Sequence, residues 1–477
     1  MGATIFRTFA ALGLLLALLL PAQAQTTAGA SAPASAPAST APSAALVATP
    51  APAAAEIAAP AAAPTRPSLV KQDTLNAADT GWMMTSTALV LLMTLPGIAL
   101  FYAGMVRRKN VLNTMASVVA IAALVSLLWF ALGYSWAFTP GNEWIGGNQR
   151  LWFGGLDYRK ETGMVAVSHI ATNIPESVYA MFQLSFAIIT AALVVGAFVE
   201  RMRFSAMLVF IGLWSICVYV PIAHWVWEPG GWLATRGVLD FAGGSVVHIN
   251  AGVSGLVCAY VLRSRKGYGR EPFEPFNLGL TMAGAGLLWV GWFGFNAGSA
   301  VAADGRAGLA MAVTHIAASA GALTWMLGEW IVRRRPSLLG LCSGLVSGLV
   351  AITPAAGFVS PGAALAIGAI AGLVCYWGAT GLKRLLKADD SLDVFGVHGV
   401  GGIVGSLLTG VFASKAIGGV EGNLLAQAMG VGAVVLYSVV ATGLLLAFTS
   451  LFVKLRVDEA DEQAGLDLAL HRERLGT

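Results

Sequence analysis

The chain has 477 residues, of which 57% are hydrophobic and only 11% charged. A soluble domain of ordinary composition carries about 25% charge, so this one reads as a polytopic membrane protein. Its 57 glycines suit helices that approach closely in lipid, and its formal net charge of +4 says less than where the charges fall.

The N-terminus reads as a secretory signal peptide, residues 1–24. Arg7 is its basic region, Thr8 to Leu20 its apolar region and Ala22-Gln23-Ala24 its cleavage site. The other reading, a first membrane helix, would need a longer run. Residues 25–74 are Ala, Pro, Ser and Thr with almost no aromatics or charge, a linker expected to be extended or disordered.

Eleven apolar stretches follow, at roughly 80–106, 111–138, 172–199, 204–227, 241–262, 277–301, 308–332, 338–354, 361–382, 394–414 and 424–453. Most are long enough to span about 30 Å of hydrocarbon. Alternate loops hold Arg107, Arg108, Lys109, Arg201, Arg203, Arg263, Arg265, Lys266, Arg270, Arg333 to Arg335, Lys383, Arg384 and Lys387, fifteen basic residues. The intervening loops hold six: Arg150, Arg159, Lys160, Arg236, Arg306 and Lys415. The basic set is expected in the cytoplasm, which puts the mature N-terminus outside and the C-terminus inside. A signal peptide followed by an odd number of helices demands the same orientation.

His248 and His398 lie within the fifth and tenth stretches, in matching frames. Each stands eight residues after an aspartate, Asp240 or Asp390. Each is followed by glycine at +4 and +7: Gly252 and Gly255, Gly402 and Gly405. Five helices separate the two stretches, so they run in opposite directions. A motif repeated in oppositely directed helices marks an inverted repeat, here helices 1–5 against 6–10 with a final helix added. A weaker echo pairs Phe101-Tyr-Ala-Gly104 with Phe295-Asn-Ala-Gly298. Both histidines fall near the midplane, where the repeat brings them together.

An ionisable residue at that depth marks a pathway or a relay by default. One histidine alone would as easily be a hydrogen-bonded core residue, but the repeated frame argues for one site built twice. A metal centre is the other alternative. Two histidines are too few for a closed zinc site, and no Asp, Glu or Cys lies at their depth. Neutral imidazoles donate and accept in a dry interior, and two charged ones would repel. The pair therefore suits a small polar solute or a shuttled proton. About 12 Å of helix would separate Asp240 from His248, which argues against a dyad. Asp240 is expected to cap the fifth helix and to place negative charge at the outer mouth, with Asp390 doing similar work at the inner end. Cys217, Cys258, Cys342 and Cys375 lie in apolar runs with no CxxC spacing and read as core residues. Trp225, Trp227, Phe186 and Phe295, taken singly, are belt or packing residues.

Taken together, Phe182-Gln-Leu-Ser-Phe186, Pro221-Ile-Ala-His224, Asp240 to Gly255, Gly291-Trp-Phe-Gly-Phe-Asn-Ala-Gly-Ser299 and Asp393-Val-Phe-Gly-Val-His-Gly399 resemble the bacterial ammonium transporters of the Amt family. The resemblance runs from about residue 79 to the C-terminus. It implies eleven helices in a pseudo-twofold bundle, a homotrimer and one pore per subunit in the bacterial inner membrane. By position, it implies an outer ammonium-binding site of Trp227, Phe186 and Ser299 with Asp240 in support. It implies a stacked gate of Phe186 and Phe295, and a pore lined by His248, His398 and Trp292. Ammonium or ammonia is the implied cargo, with lipid around the bundle and no cofactor, metal or nucleic acid. The segment Leu455 to Asp467 resembles the cytoplasmic tail that helps dock the PII signalling protein; residues 458–477 would be that tail, and a solvated end without a partner is the plainer alternative.

Two positions depart from the family. Glu228 and Pro229 follow Trp227 where glycine is usual, and Leu184 replaces another glycine. Glu228 is expected to raise the local cation concentration, and Leu184 to alter helix contacts. A sensor is the competing function class, but about 20 residues of tail are too few for a signalling domain. A membrane enzyme is a third, and no catalytic constellation sits at membrane depth.

Overall fold

In the computed structural model, residues 65–476 are described. The expected signal peptide and the linker up to residue 64 lie outside them. Among the described residues, ten helices are long and apolar enough to cross a membrane. They are α1 (Ala77–Met105), α2 (Arg108–Phe138), α3 (Glu176–Phe198), α4 (Phe204–Trp227), α5 (Gly244–Leu262), α6 (Leu278–Gly298), α7 (Gly305–Arg333), α9 (Pro361–Leu386), α10 (Phe395–Phe412) and α11 (Leu424–Ser450). The eighth apolar stretch forms α8 (Leu338–Ile352), a 15-residue helix. At 1.5 Å per residue it covers only about 22 Å. The fold is all-α and polytopic.

The helix ends follow local chemistry. Asn76, Asn277, Asp304, Ser337, Ser360 and Asn423 each accept backbone N–H groups at an N-terminus. α3 starts at Glu176, behind Pro175, rather than at 172. α1 loosens into a π-turn over Met93–Ile98 around Pro96, which removes one ladder donor.

Burial is graded as lipid demands. Along α3, nine-tenths of the spanning residues are buried, whereas α11 exposes Leu425, Leu436 and Leu444 at 66–81%. Leucines left this bare in water would forfeit about 1.5–3 kcal/mol each; in hydrocarbon they do not. Cys258, Cys342 and Cys375 are buried as expected, but Cys217 is exposed on the outward side of α4. An apolar run in a membrane helix does not distinguish a core side from a lipid side.

Glycines draw the inverted repeat together. A Cβ on Gly252 of α5 would overlap the backbone of Gly399 in α10, and one on Gly402 of α10 would press the Gly244 carbonyl and Ile249 amide of α5. Gly255 faces Ala197 of α3, and Gly405 faces Ala351 of α8, the corresponding helix of the second half. The glycines at +4 and +7 thus perform matching contacts in both halves, as small residues do where helices cross closely.

Two features lie outside the bundle. Ser68–Lys71 at the end of the linker is a strand, β1, paired antiparallel with β3 (Met164–Val167), which also pairs with β2 (Tyr158–Arg159). The tail is packed against the inner loops. Arg203 N donates to Leu455 O and Val457 N to Arg201 O, at 2.8 and 3.0 Å. Beyond α12 (Glu459–Ala464), Asp467 accepts from Asn113 N at 2.7 Å at the start of α2. Glu462 and Asp467 are buried, so the segment is not a freely solvated end.

Candidate functional site

The site is built where α5 and α10 begin. Residues 240–243 form a turn rather than helix, with Gly243 at φ 113°, a conformation that glycine takes without strain. Asp240 closes this turn. One carboxylate oxygen accepts from the amides of Gly243 and Gly244 at 2.7 and 2.6 Å, the other from Ser245 and Val246 at 2.7 and 3.1 Å. Burial pushes the carboxyl up against these four amides. Asp240 is therefore the expected cap, and its carboxylate does not reach His248. The 12 Å helical spacing does not apply, because helix begins only at Gly244.

α5 opens with a π-turn over Gly244–Ile249, and α10 with one over Phe395–Gly399. Both histidines sit in these turns. Their Nδ1 atoms lie 3.3 Å apart, with the rings stacked at 5.4 Å and 23°. Both are buried, and His248 Nε2 has no partner. With each Nδ1 facing the other, one is a donor and one an acceptor. Asp390 matches Asp240 in place but not in completeness. It accepts from Phe395 N at 2.7 Å, and its second oxygen is buried and bare. Burial pushes its carboxyl up to about 6, opposed by Lys383.

A column of rings leads from the histidines towards the face expected outside. His248 stacks on Trp292 at 5.4 Å and touches Phe295 at 6.0 Å. Phe295 stacks on Phe186 at 4.1 Å and 22°. Phe186 meets Trp227 edge-on at 5.7 Å, and Trp227 donates from Nε1 to Asp240 O at 2.9 Å. Asp240 thus holds the outer indole through its main chain. Ser299 lies at the end of α6, one turn beyond Phe295, and its hydroxyl donates to Phe295 O at 2.9 Å. Trp227, Phe186, Phe295, Trp292, His248 and His398 form one contiguous run; Ser299 borders it.

Several neighbours carry no signal of their own in the sequence. Phe138 stacks on Trp227 at 6.3 Å, Tyr179 packs on Phe138 at 5.5 Å, and Thr353 accepts from Trp292 Nε1 at 2.9 Å. Each lies far along the chain from its partner, at an ordinary-looking helix end.

Glu228 departs from the expectation. Its side chain is only 7% exposed and is engaged by His169 Nε2 at 3.1 Å and the Gly230 amide at 2.5 Å. It is not a free carboxylate on the rim. Leu184 is buried in the main core. Among the described residues no cluster of three or more His, Cys, Asp or Glu is placed to hold a metal.

Residues 81–475 match the family model described as Ammonium Transporter Family. The chain belongs to the ammonium transporter family. It is 46% identical over 409 residues to an ammonium transporter of Bacillus subtilis, covering 84% of this chain and 98% of that one. The crystal structure of Saccharomyces cerevisiae Mep2 superposes with a TM-score of 0.74 at 37% identity, covering 81% of this chain and 92% of that one. A structure titled Sensor Amt Protein gives 0.75 at 28% identity, covering 82% and 98%. The transporter family member is a multi-pass membrane protein and not an enzyme, and ammonium transport is the activity its membership gives.

Proposed function

We propose that NH4+ is recruited at the outer aromatic site, gives up a proton, and passes as NH3 along the ring-lined path to the inner face, while the proton travels separately through the histidines. The face-to-face stack of Phe186 and Phe295, with His248 directly beneath, is the observation that carries this reading. Rings at the mouth attract a cation by its charge. The apolar column then penalises any ion that keeps its charge. Potassium resembles ammonium in size and charge but has no proton to release, so the column rejects it. Trp227, Phe186 and Ser299 are read as the recruiting site, and Phe186 with Phe295 as the gate. His248, His398 and Trp292 are read as the pore lining, with Asp240 as the residue that positions Trp227.

The same reading places the chain in a bacterial inner membrane as a homotrimer, with residues 1–24 removed, the mature N-terminus outside, the C-terminus inside, and the packed tail contributing to a PII docking surface. The test is current on ammonium addition to proteoliposomes. Saturable inward current with ammonium and none with potassium is expected; equal currents with both would overturn the reading. A sensor with no transport of its own, the second reading, is favoured only by the likeness to a structure titled as a sensor, and it would give no current.

A further inference from the structure

A buried carboxylate follows directly on the outermost ring of the column. Glu228 is shared between His169 and the amide of Gly230. His169 comes from the loop after β3; its side chain is 4% exposed, and its second nitrogen, Nδ1, is buried without a partner. Two further titratable groups face the carboxylate, His224 one turn back on α4 and Tyr179 on α3. His224 has both ring nitrogens on carbonyl oxygens, those of Ala137 and Asn142, at 3.0 and 2.8 Å. Tyr179 reaches Trp227 through Phe138. Burial alone would push the Glu228 carboxyl up, but the His169 ring, the Gly230 amide and His224 hold it below the usual carboxylate range. It is an anion one residue past Trp227 in the chain, paired with an imidazole.

We infer that His169 and Glu228 form a pH-sensitive pair that positions and charges the cation-recruiting mouth. With His169 neutral, the mouth is more negative by one charge than with it protonated, and draws ammonium towards Trp227 more strongly. With His169 protonated at Nδ1, the Nε2–H bond to Glu228 stays in place and the pair becomes neutral. Histidine is the side chain best suited to change charge with pH near neutrality, so ammonium recruitment weakens as protons are taken up by this pair, although ammonium itself stays protonated throughout. The inference rests on the recruiting role proposed for Trp227.

The test is the half-saturating ammonium concentration of the proteoliposome current at outside pH 7.5 and 5.5. In the unaltered protein it should rise about threefold at the lower pH, the effect of one nearby charge in a partly screened site. His169→Gln keeps a donor to Glu228 but does not titrate, and should show the low value at both pH values. Glu228→Gln should show the high value at both. The ratio in His169→Gln decides the matter even if Glu228→Gln fails to fold. A ratio in His169→Gln equal to that of the unaltered protein, or no pH dependence in the unaltered protein, would overturn the inference. Trp227→Leu separates the two readings. If it raises half-saturation at both pH values while His169→Gln keeps the pH dependence, recruitment stands and the pair does not. If it changes nothing, the recruiting role itself fails.

Discussion

Each nitrogen-bearing ring of the column is held by a bond that its neighbour in space supplies. Trp227 depends on the Asp240 carbonyl, Trp292 on the Thr353 hydroxyl, and the histidines on each other. Trp227→Leu removes the ring and its cation–π attraction, worth about 0.5–2 kcal/mol. Half-saturation of ammonium current should rise roughly two- to thirtyfold, with the maximal current less affected; an unchanged concentration dependence would reject Trp227 as a recruiting residue. His248→Asp puts a carboxylate at a buried position of the column. A buried charge draws water and a counter-ion, so this variant should admit potassium current that the unaltered protein excludes. Potassium current indistinguishable from background would show that dryness at His248 does not set selectivity.

At the scale of elements, α5 and α10 are related by sequence frame and contact. The pairing was legible because both histidines carry the same aspartate and glycines, and the glycines turn out to be the crossing points of the repeat. The helix starts were less legible. Periodicity and hydropathy do not reveal that residues 240–243 form a turn, because the deciding interaction is one carboxylate collecting four amides. Nor could they reveal that Glu228 is taken by His169, 59 residues away in sequence, or that Phe138 stacks on Trp227. These are tertiary partners between unremarkable positions. Two variants test the element scale by thermal unfolding in detergent. Asp240→Ala strands four buried amides and removes a cap, and should cost at least about 2 kcal/mol. Gly252→Leu drives a side chain into the Gly399 backbone and should cost more than the roughly 1–3 kcal/mol of ordinary overpacking. Unfolding of Gly252→Leu at the temperature of the unaltered protein would mean that the crossing is looser than described.

For the whole molecule, the inner face is tied by a charge network. Arg107 and Arg265 meet Glu200 at 2.8 and 2.9 Å, Arg265 reaches Asp389 at 2.8 Å, and Arg201 donates to Asp389 O at 2.6 Å. Burial raises Glu200 and Asp389, but Arg265, with Arg107 at Glu200 and Arg201 at Asp389, outweighs it and holds both below the usual range. Their contribution to stability is thus complete above the ordinary carboxylate pKa, near 4, and is lost as pH falls through the lowered values. Glu200→Gln leaves Arg107 without its carboxylate and Arg265 with Asp389 alone, and should cost about 3–5 kcal/mol at neutral pH, with the difference shrinking below about pH 4. A difference that stays constant down to pH 3 would contradict the ionic account.

Orientation is tested separately, with a reporter fused after Thr477 expected inside and one near Asp304 outside; the opposite pattern would sink the orientation argued from the loop charges. The central claim is that the two histidines carry the proton released from ammonium. Its most direct measurement is ammonium-driven current in proteoliposomes of the double variant His248→Ala, His398→Ala at matched protein content. The account predicts that the current is abolished, in the double variant and in His248→Ala alone. A normal ammonium current from the double variant would show that the pair is structural and that the proton travels by another route.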